Sequence, residues 1–569
     1  MGSQTKEIVT LQLGHYSNFV GCHWWNLQEA SFIYDAKEKH KKEIDNDVLF
    51  REGANLLGEI TYTPRLISVD LKGSLNTLKK EGVLYTLPGE EENINWQNDI
   101  TLHKSEQFVK NEFLRDLEKE EAYYHEPESI DEDDEDKEMK VEGPAEKSQV
   151  FGPKSLYNLD DDIKVWSDFL KIHLHPKTLN IVENFTHESE FSPFDVYNYG
   201  LSVYKDRGFH NQLEDRIHVF VEECDHLQGF QIMSDVHNGF GGITGSLLEE
   251  ICDQYERPIF TIGAMPTVYG DTTAVQDNCR MINTMLSYIS MVEQSSIMLP
   301  LSCAMNQWRK PSNYLQSPNL QYNANLSYHT SAVLAACLDT ATLPLRSDTN
   351  CLDLYDLSHV LAFSGRKVAN LQATFPFSLS PGEGLIDKLL RLGDNPLWYS
   401  LTPCSGSATG DVASQSVVLR GITNIKTSMT QNLPTSLKNC KSADEVLQIY
   451  LQDLYPATNS MVNAYNTACK TSKPYPHIFH PNLKTDGLIH DNFPRPINQG
   501  VDSVPVLTSL QSNSSTADML SSLRDEVKRI NIHKFAHIFL ETHIDLDEYN
   551  EVIEKLENLI TNYSSSEVM

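Results

Sequence analysis

The stretch from Glu222 to Tyr255, EECDHLQGFQIMSDVHNGFGGITGSLLEEICDQY, carries the strongest fold signal in the chain. Its mostly apolar first part, around Leu227 to Met233, predicts a helix, and a second helix is predicted to begin near Thr244. Between them lies a glycine-rich turn, Gly239 to Gly242. Glycines before a helix let backbone N–H groups approach a ligand, and the helix dipole favours an anion there. The turn is a candidate phosphate cradle, but pattern alone favours a tight loop that binds nothing, because short glycine motifs often match by chance.

The composition of the chain is that of a globular protein and excludes several classes of function. Its 569 residues leave room for about two to four domains, and 40% of them are apolar and 22% charged. The net charge of −33 argues against a nucleic-acid partner, because phosphate backbones would be repelled. Ten scattered cysteines without zinc-ligand spacing indicate a reduced compartment. We expect neither a targeting peptide nor a transmembrane segment, since no apolar run approaches the roughly 20 residues that span a bilayer.

Two earlier segments indicate a nucleotide-binding α/β domain. Glu7 to Leu13 reads as a buried strand, residues 14–18 as a turn, and Phe19 to Ala30 as a helix. Strand, small-residue turn and helix is the order in which such a domain begins. In the second segment, Leu66 to Val69 predicts a strand with Asp70 at its carboxyl end, where α/β sheets hold their ligands.

These three segments resemble the tubulin/FtsZ superfamily. LQGFQ precedes a phosphate loop there, and EIVTLQLGHYSN and YTPRLISVDLKGSLNTL are similar to two further nucleotide-site segments of tubulin. The resemblance implies an α/β fold with an N-terminal Rossmann-type nucleotide-binding domain, an α+β intermediate domain and C-terminal helices. It places Asp70 near a Mg²⁺–phosphate group, and a loop-capping role for Asp70 is the alternative. The residues that it implies for the nucleotide site are Gly14, His15, Asn18, Asp70, Gly239, Gly241, Gly242, Asp271 and Gln294.

Several positions depart from the tubulin pattern in ways that weaken this site. Phe240 stands where a phosphate requires bare backbone, and Lys72 replaces an acidic residue, although lysine is not a Mg²⁺ ligand. A second phosphate loop is missing, with Asn95-Trp96 as a weak echo. By the resemblance, the two guanine-reading asparagines fall on Gln294 and Cys303. Glutamine can still form hydrogen bonds, but a thiol cannot supply those of an amide.

Hydrolysis of GTP needs a positioned base and a metal-bound triphosphate. Residues 348–353 provide no carboxylate that matches the catalytic loop of tubulin. We therefore predict no catalytic residues, residual binding of GTP and Mg²⁺ at most, and little or no hydrolysis. An active GTPase that polymerises head to tail is the alternative. An NAD(P)-dependent Rossmann enzyme is disfavoured, because GxGxxG does not follow the first strand.

The order of the matched segments, with EECDHLQGFQ and an acidic insertion before VWSDFLK, is similar to that of the Misato family of divergent tubulin-like proteins. This resemblance implies a role in mitochondrial distribution, morphology and organisation, and in spindle assembly and chromosome segregation. The implied partners are tubulin or microtubule-associated proteins and a cytosolic chaperonin. The implied locations are the cytoplasm, the cytosolic face of the mitochondrial outer membrane, and the spindle.

We predict a nucleotide-binding-type domain over residues 1–300, an intermediate domain over 301–500, and a linker with C-terminal helices over 501–569. An acidic insertion at about 120–150 is predicted to be disordered, because it buries too little apolar surface to offset its ordering entropy. It is either a docking segment or a solvated spacer. The linker is predicted near 507–518, where Ser and Thr are frequent. Helices are predicted over residues 105–119, 385–392, 443–454, 519–530 and 547–562.

Overall fold

Two large β-sheets and the helices around them form the fold. The computed structural model describes residues 6–33, 42–82 except 57, 84, 108–125, 156–348 except 271, 306–307 and 310–312, 352–393, 395–405, 411–425, 435–490, 493–539 and 544–564. Three features predicted above lie outside these ranges: Asn95-Trp96, Asp271, and the acidic insertion from residue 126 onward.

The first sheet has six parallel strands. They are β1 Glu7–Leu13, β4 Leu66–Lys72, β5 Leu179–Thr186, β6 Leu227–Asp235, β7 Ile259–Ala264 and β8 Ile297–Leu301. Strands β2 Phe50–Ala54 and β3 Ile60–Pro64 form a separate hairpin. The order across the sheet is β5-β4-β1-β6-β7-β8. Strands β4 and β5 are added on one side of β1 and strands β6 to β8 on the other, so the switch point of the sheet lies between β1 and β6. In doubly wound α/β sheets, ligands bind outside the carboxyl ends of the strands at such a switch point.

In the described part of this half of the chain there are six helices. They are α1 His15–Ala30, α2 Glu112–His125, α3 Tyr197–Lys205, α4 Arg207–Glu222, α5 Phe240–Tyr255 and α6 Ala274–Gln294. Eight further helices follow: α7 Ser327–Ala341, α8 Leu354–Leu361, α9 Leu385–Leu392, α10 Thr435–Lys438, α11 Ala443–Leu454, α12 Ser515–Lys528, α13 Ala536–Phe539 and α14 Leu546–Ser564. The predicted helices at 385–392 and 443–454 are confirmed.

The second sheet has five strands and is mostly antiparallel. They are β9 Asn370–Thr374, β10 Tyr399–Ser400, β11 Val412–Arg420, β12 Asn459–Tyr465 and β15 Val506–Asn513. Strands β13 Cys469–Lys470 and β14 Ser503–Val504 pair separately. The order is β10-β9-β15-β11-β12, and β11 and β12 are parallel.

Helix α7 connects the two sheets. Every residue from Tyr328 to Ala341 is buried, and the helix packs on α1 as well as on β11 and β15. A helix that is apolar on most sides is stable only inside a core. Its alanine-rich sequence lets these neighbours approach closely.

The C-terminal helix α14 packs on α12 and α6, as its apolar face predicts. Leu556, Leu559 and Ile560 are buried in the same core cluster as residues of the first sheet. Among the described residues, no helix combines the length and the apolar character that crossing a bilayer requires.

Some local predictions are wrong. Residues 227–235 form strand β6 instead of a helix, because a central parallel strand is buried on both faces and its apolar run is continuous. Helices α1 and α5 begin at His15 and Phe240, inside the predicted turns. The start of the acidic insertion, residues 120–125, lies in α2.

The predicted linker near 507–518 is also wrong. Residues 506–513 form β15, which lies between β9 and β11 in the second sheet. Two of its buried polar side chains share one acceptor, since Ser509 Oγ and Gln511 Nε2 both donate to Gln415 Oε1. A Ser- and Thr-rich stretch can form a central strand when the neighbouring strands supply hydrogen-bond acceptors. The proposed domain limits near 300 and 500 stay predictions.

Candidate functional site

The switch point between β1 and β6 is closed by one carboxylate. Gly14 follows β1 with a φ of 113°, and Asp235 is the last residue of β6. A Cβ atom at position 14 would overlap the Asp235 carboxyl group. Glycine is therefore required there both for the backbone conformation and for the close approach of Asp235.

Asp235 caps the N-terminus of α1. Its Oδ1 accepts hydrogen bonds from Ser17 N–H at 2.8 Å and from Ser17 Oγ at 2.7 Å, and its Oδ2 accepts from Tyr16 N–H at 3.2 Å. Asn238 Nδ2 donates to the same Oδ2 at 3.3 Å. A helix N-terminus at a switch point is where an α/β protein binds a phosphate. Here a side-chain carboxylate fills that position.

The carboxyl group of Asp235 lies in an environment that disfavours its charge. Burial raises the pKa of Asp235 to about 6, although the hydrogen bonds from Ser17, Tyr16 and Asn238 act in the opposite direction. The site thus holds a buried carboxyl group whose charged form is less favourable than that of an exposed aspartate.

The glycine turn before α5 packs against protein. A Cβ atom at Gly239 would lie 2.7 Å from the Phe194 ring, and one at Gly241 or Gly242 would overlap Ser287 Oγ or the carbonyl oxygen of Tyr197. These glycines therefore allow α5 to lie against α3 and α6.

The backbone donors of this turn already have acceptors within the chain. Gly239 N–H donates to Phe194 O at 3.1 Å, and Phe240 N–H donates to Asn238 Oδ1 at 3.0 Å. The Phe240 side chain is buried and its ring lies 5.1 Å from the Phe194 ring. A phosphate at this turn would have to displace protein acceptors.

Asp70 is the centre of a second network at the carboxyl end of β4. Its Oδ2 accepts from Trp166 Nε1 at 2.8 Å and from Asn18 Nδ2 at 3.1 Å, and it lies 3.2 Å from His15 Nδ1. Burial would raise the pKa of Asp70, but the neighbouring His15 imidazole and the hydrogen bonds from Leu71 N–H and Asn18 bring it below its usual range. Asp70 is therefore a fully ligated buried anion, which agrees better with a structural role than with a Mg²⁺ ligand.

His187 also lies close to Asp70, and Asn18 makes further hydrogen bonds around it. The His187 ring lies against the His15 ring with 3.8 Å between centroids and a tilt of 34°, and burial and the neighbouring His15 lower the pKa of His187. Asn18 also donates to Val69 O and accepts from Ser68 Oγ. Lys72 is exposed at the end of β4.

The two residues that the resemblance assigns to guanine recognition, Gln294 and Cys303, lie at opposite edges of the first sheet. Cys303 is buried after β8, where its thiol lies near Thr330 O, and Tyr16 donates to or accepts from Thr330 Oγ1 at 2.9 Å. Gln294 ends α6 and precedes β8, so it lies at the amino edge of the sheet, opposite Asp70 and Asp235.

The structure thus brings together Gly14, His15, Asn18 and Asp70, with the glycine turn at the neighbouring strand. Asp235 was missed from the sequence. An acidic residue that ends a continuous apolar run immediately before a glycine turn is the signal that could have found it. Whether these residues bind a nucleotide stays a prediction.

Comparison with known proteins shows which family shares this sequence. Residues 6–119 match the Misato Segment II tubulin-like domain, and residues 157–347 match the Tubulin domain. The mouse protein misato homolog 1 is 36% identical over 577 residues, which cover 100% of this chain and 99% of the mouse protein. Protein misato of Drosophila melanogaster is 32% identical over 589 residues, covering 99% of this chain and 100% of the fly protein. Protein DML1 of Gibberella zeae is 28% identical over 343 residues, about 60% of each chain.

The parallel sheet with strand order β5-β4-β1-β6-β7-β8 is consistent with the Rossmann-type half of the tubulin fold that these matches indicate. Because whole-length relatives and both tubulin-type domains agree, the chain belongs to the Misato family of tubulin-like proteins.

Proposed function

We propose that this chain is a tubulin-fold factor that does not hydrolyse GTP and that acts in mitochondrial distribution, morphology and organisation. The observation that supports the first part is the Asp235 carboxylate on the N-terminus of α1 at the switch point. A triphosphate at the same place would face two buried carboxylates, those of Asp235 and Asp70, and lose the N–H donors that Asp235 already uses. Like charges at such short range in a buried site disfavour binding strongly.

The cellular part of the proposal rests on membership of the Misato family. It includes action from the cytosolic face of the mitochondrial outer membrane and a role in spindle assembly and chromosome segregation. Tubulin or microtubule-associated proteins and the cytosolic chaperonin are the partner classes that we propose. A tubulin-like fold is compatible with tubulin as a partner.

A GTP titration with and without Mg²⁺ tests the enzymatic part. We expect the full chain to bind GTP more weakly than about 1 mM and to release no phosphate above the rate of buffer alone. Micromolar binding with turnover would instead favour the active, polymerising GTPase.

The variant Asp235→Ala sharpens this test, because it removes the internal anion and frees the N–H groups of Tyr16 and Ser17. We expect inorganic phosphate to raise the melting temperature of Asp235→Ala and to leave that of the parent chain unchanged. Asp453→Ala, an exposed aspartate on α11, is the matched control. An equal response of all three proteins would contradict the proposed role of Asp235.

Rescue of cells depleted of this protein tests the cellular part. We expect the full chain to restore mitochondrial distribution, and a full-length variant with Asn and Gln at residues 131–136 to separate the two interpretations of the acidic insertion. If this neutralised variant restores normal morphology, the insertion is a spacer and the docking interpretation is wrong. If the full chain itself leaves mitochondria abnormal, the mitochondrial proposal fails.

A further inference from the structure

A cluster of histidine and carboxylate side chains lies on the outer surface of the first domain, away from the switch point. His210 and Glu214 are one turn apart on α4, so their side chains lie on the same face of that helix. Glu250 approaches them from α5 and lies about 15 Å along that helix from its N-terminus. We propose that His210, Glu214 and Glu250 form a binding site for a divalent transition-metal ion of the zinc type.

The distances within the cluster are close to those that a metal ion requires. One potential ligand atom from each of the three residues lies within 4.8 Å of the other two. His210 Nε2 is 2.8 Å from Glu250 Oε2. Zinc binds histidine nitrogen and carboxylate oxygen at about 2.0–2.2 Å, so neighbouring ligand atoms around one ion are separated by less than about 4 Å. Small side-chain rotations are enough to place all three atoms around one ion.

Hydrogen bonds from neighbouring residues hold the ligands in position. Gln254 Nε2 donates to Glu214 Oε1 at 3.2 Å and to Glu250 Oε1 at 3.1 Å, so one amide keeps the two carboxylates side by side. Tyr204 OH donates to Glu250 Oε2. Such outer partners orient the ligands in known metal sites. Two carboxylates held this close repel each other, and a cation between them relieves the repulsion.

The histidine is oriented so that its Nε2 can act as a ligand. His210 Nδ1 lies 3.4 Å from Asn211 Oδ1, which favours a proton on Nδ1 and leaves Nε2 toward the carboxylates. A bound ion would take the place of the direct contact between His210 Nε2 and Glu250 Oε2. His218 Nε2 lies 3.6 Å from Glu214 Oε1, but it is two turns from His210 on α4 and its Nδ1 pairs with the Tyr255 hydroxyl, so it lies outside the three-residue cluster.

The cluster is accessible to an ion from solvent. Glu214 and Glu250 border a shallow surface depression that is also lined by Ile217, Leu247 and Ile251. The side chains of His210 and Glu250 are 31% and 23% exposed. Apolar neighbours beside partly exposed ligands strengthen their interaction with an ion without blocking its entry.

The ligand set selects the type of ion. One imidazole with two carboxylates suits Zn²⁺ and its neighbours in the transition series, whereas Mg²⁺ and Ca²⁺ prefer oxygen ligands throughout. An ion bound here would link α4 to α5.

Titration of the metal-free full chain with Zn²⁺, followed by calorimetry, tests the site. We expect one ion per chain, and an affinity that falls at least about tenfold in each of His210→Asn, Glu214→Gln and Glu250→Gln. His173→Asn is the matched control, because His173 forms a similar pair with Glu121 at 3.3 Å but is not part of a three-residue cluster among the described residues. Circular dichroism of each metal-free variant checks its fold.

Absorption spectra of the Co²⁺-loaded chain identify the ligands independently. Weak visible bands without a sulfur-to-metal charge-transfer band are expected for nitrogen and oxygen ligands. The proposal is overturned if the parent chain shows no saturable Zn²⁺ binding below about 1 mM. It is also overturned if fewer than two of the three variants lose affinity, or if the spectrum shows cysteine ligation.

Discussion

An aspartate lies at the carboxyl end of β4 and another at that of β6. The two are equally buried, but their pKa values are shifted in opposite directions. Asp70 and Asp235 are each 1% exposed. Asp70 faces the His15 imidazole, and its pKa is lowered. The donors to Asp235 are two backbone N–H groups, a hydroxyl and an amide, which are neutral, and burial raises its pKa to about 6. Whether the rise in the carboxyl pKa caused by burial is offset therefore depends on a nearby ionisable base.

This difference assigns a separate role to each strand end. The β4 end is a closed network that holds α1 and the loop of Trp166 together. The β6 end holds a carboxyl group whose charge is disfavoured by burial, at the switch point where doubly wound α/β proteins bind their ligands. Removing Asp70 should therefore mainly affect stability, whereas changing Asp235 should mainly affect pH dependence and anion binding.

The largest effect is expected from Asp70→Ala. This substitution leaves the Trp166 indole N–H, the Asn18 amide and the His15 ring without their shared acceptor, and the site is buried. We expect the free energy of unfolding to fall by about 3–5 kcal/mol in urea denaturation. Asp453→Ala, at an exposed position of α11, should change it by less than about 0.5 kcal/mol. Similar effects of the two substitutions would show that the Asp70 network contributes little to stability.

The second effect is a pH dependence that belongs to Asp235. Its pKa of about 6 in the folded chain lies above the ordinary value of 3.8, so between these values the folded chain binds a proton that the unfolded chain has lost. The resulting stabilisation is present below about pH 4 and is lost as the pH rises through 6. The difference between the two pKa values corresponds to about 3 kcal/mol.

The variant Asp235→Asn isolates this contribution. We expect the unfolding free energy of the parent chain, minus that of Asp235→Asn, to decrease by about 3 kcal/mol between pH 4 and pH 7. Asp70 has the opposite sign, because a lowered pKa gives stability that is lost as the pH falls. A difference between the two proteins that is independent of pH, or that increases with pH, would mean that Asp235 is ionised as easily as an exposed aspartate.

Most of the fold could be predicted because its signals are local. Strand β1, strand β4 with Asp70 at its end, and the amphipathic helices α9, α11 and α14 follow from apolar patterns and their boundaries. Strand β6 could not be distinguished from a helix, since a strand that is buried on both faces has no alternation. Strand β15 resembled a linker because the acceptors for its Thr508 and Ser509 hydroxyls lie on β11, about 90 residues away in the sequence.

The candidate site was predicted only in part, for a related reason. Gly14, His15, Asn18 and Asp70 are close together because strand order places β1 beside β4, which the resemblance supplied. The capping of α1 by Asp235 joins residues more than 200 positions apart, and sequence spacing carries no information about such a contact. Gln294 was matched to an asparagine of tubulin, but it ends α6 at the edge of the sheet opposite Asp70. A match of residue types does not show which edge of the sheet a helix end reaches.

The smallest of these effects concerns the glycine turn and separates packing from phosphate binding. A methyl group at position 242 would meet the backbone carbonyl of Tyr197, which cannot rotate away, whereas one at 241 would meet Ser287 Oγ. We expect Gly242→Ala to lower the unfolding free energy by about 1–3 kcal/mol. Gly241→Ala should cost less in the background of Ser287→Ala than alone, because the obstructing hydroxyl is then absent. Gly270→Ala, where a Cβ meets open space, is the control. If Gly242→Ala is as stable as this control, the glycines at the β6 end are not required by packing, and a ligand becomes the better explanation for them.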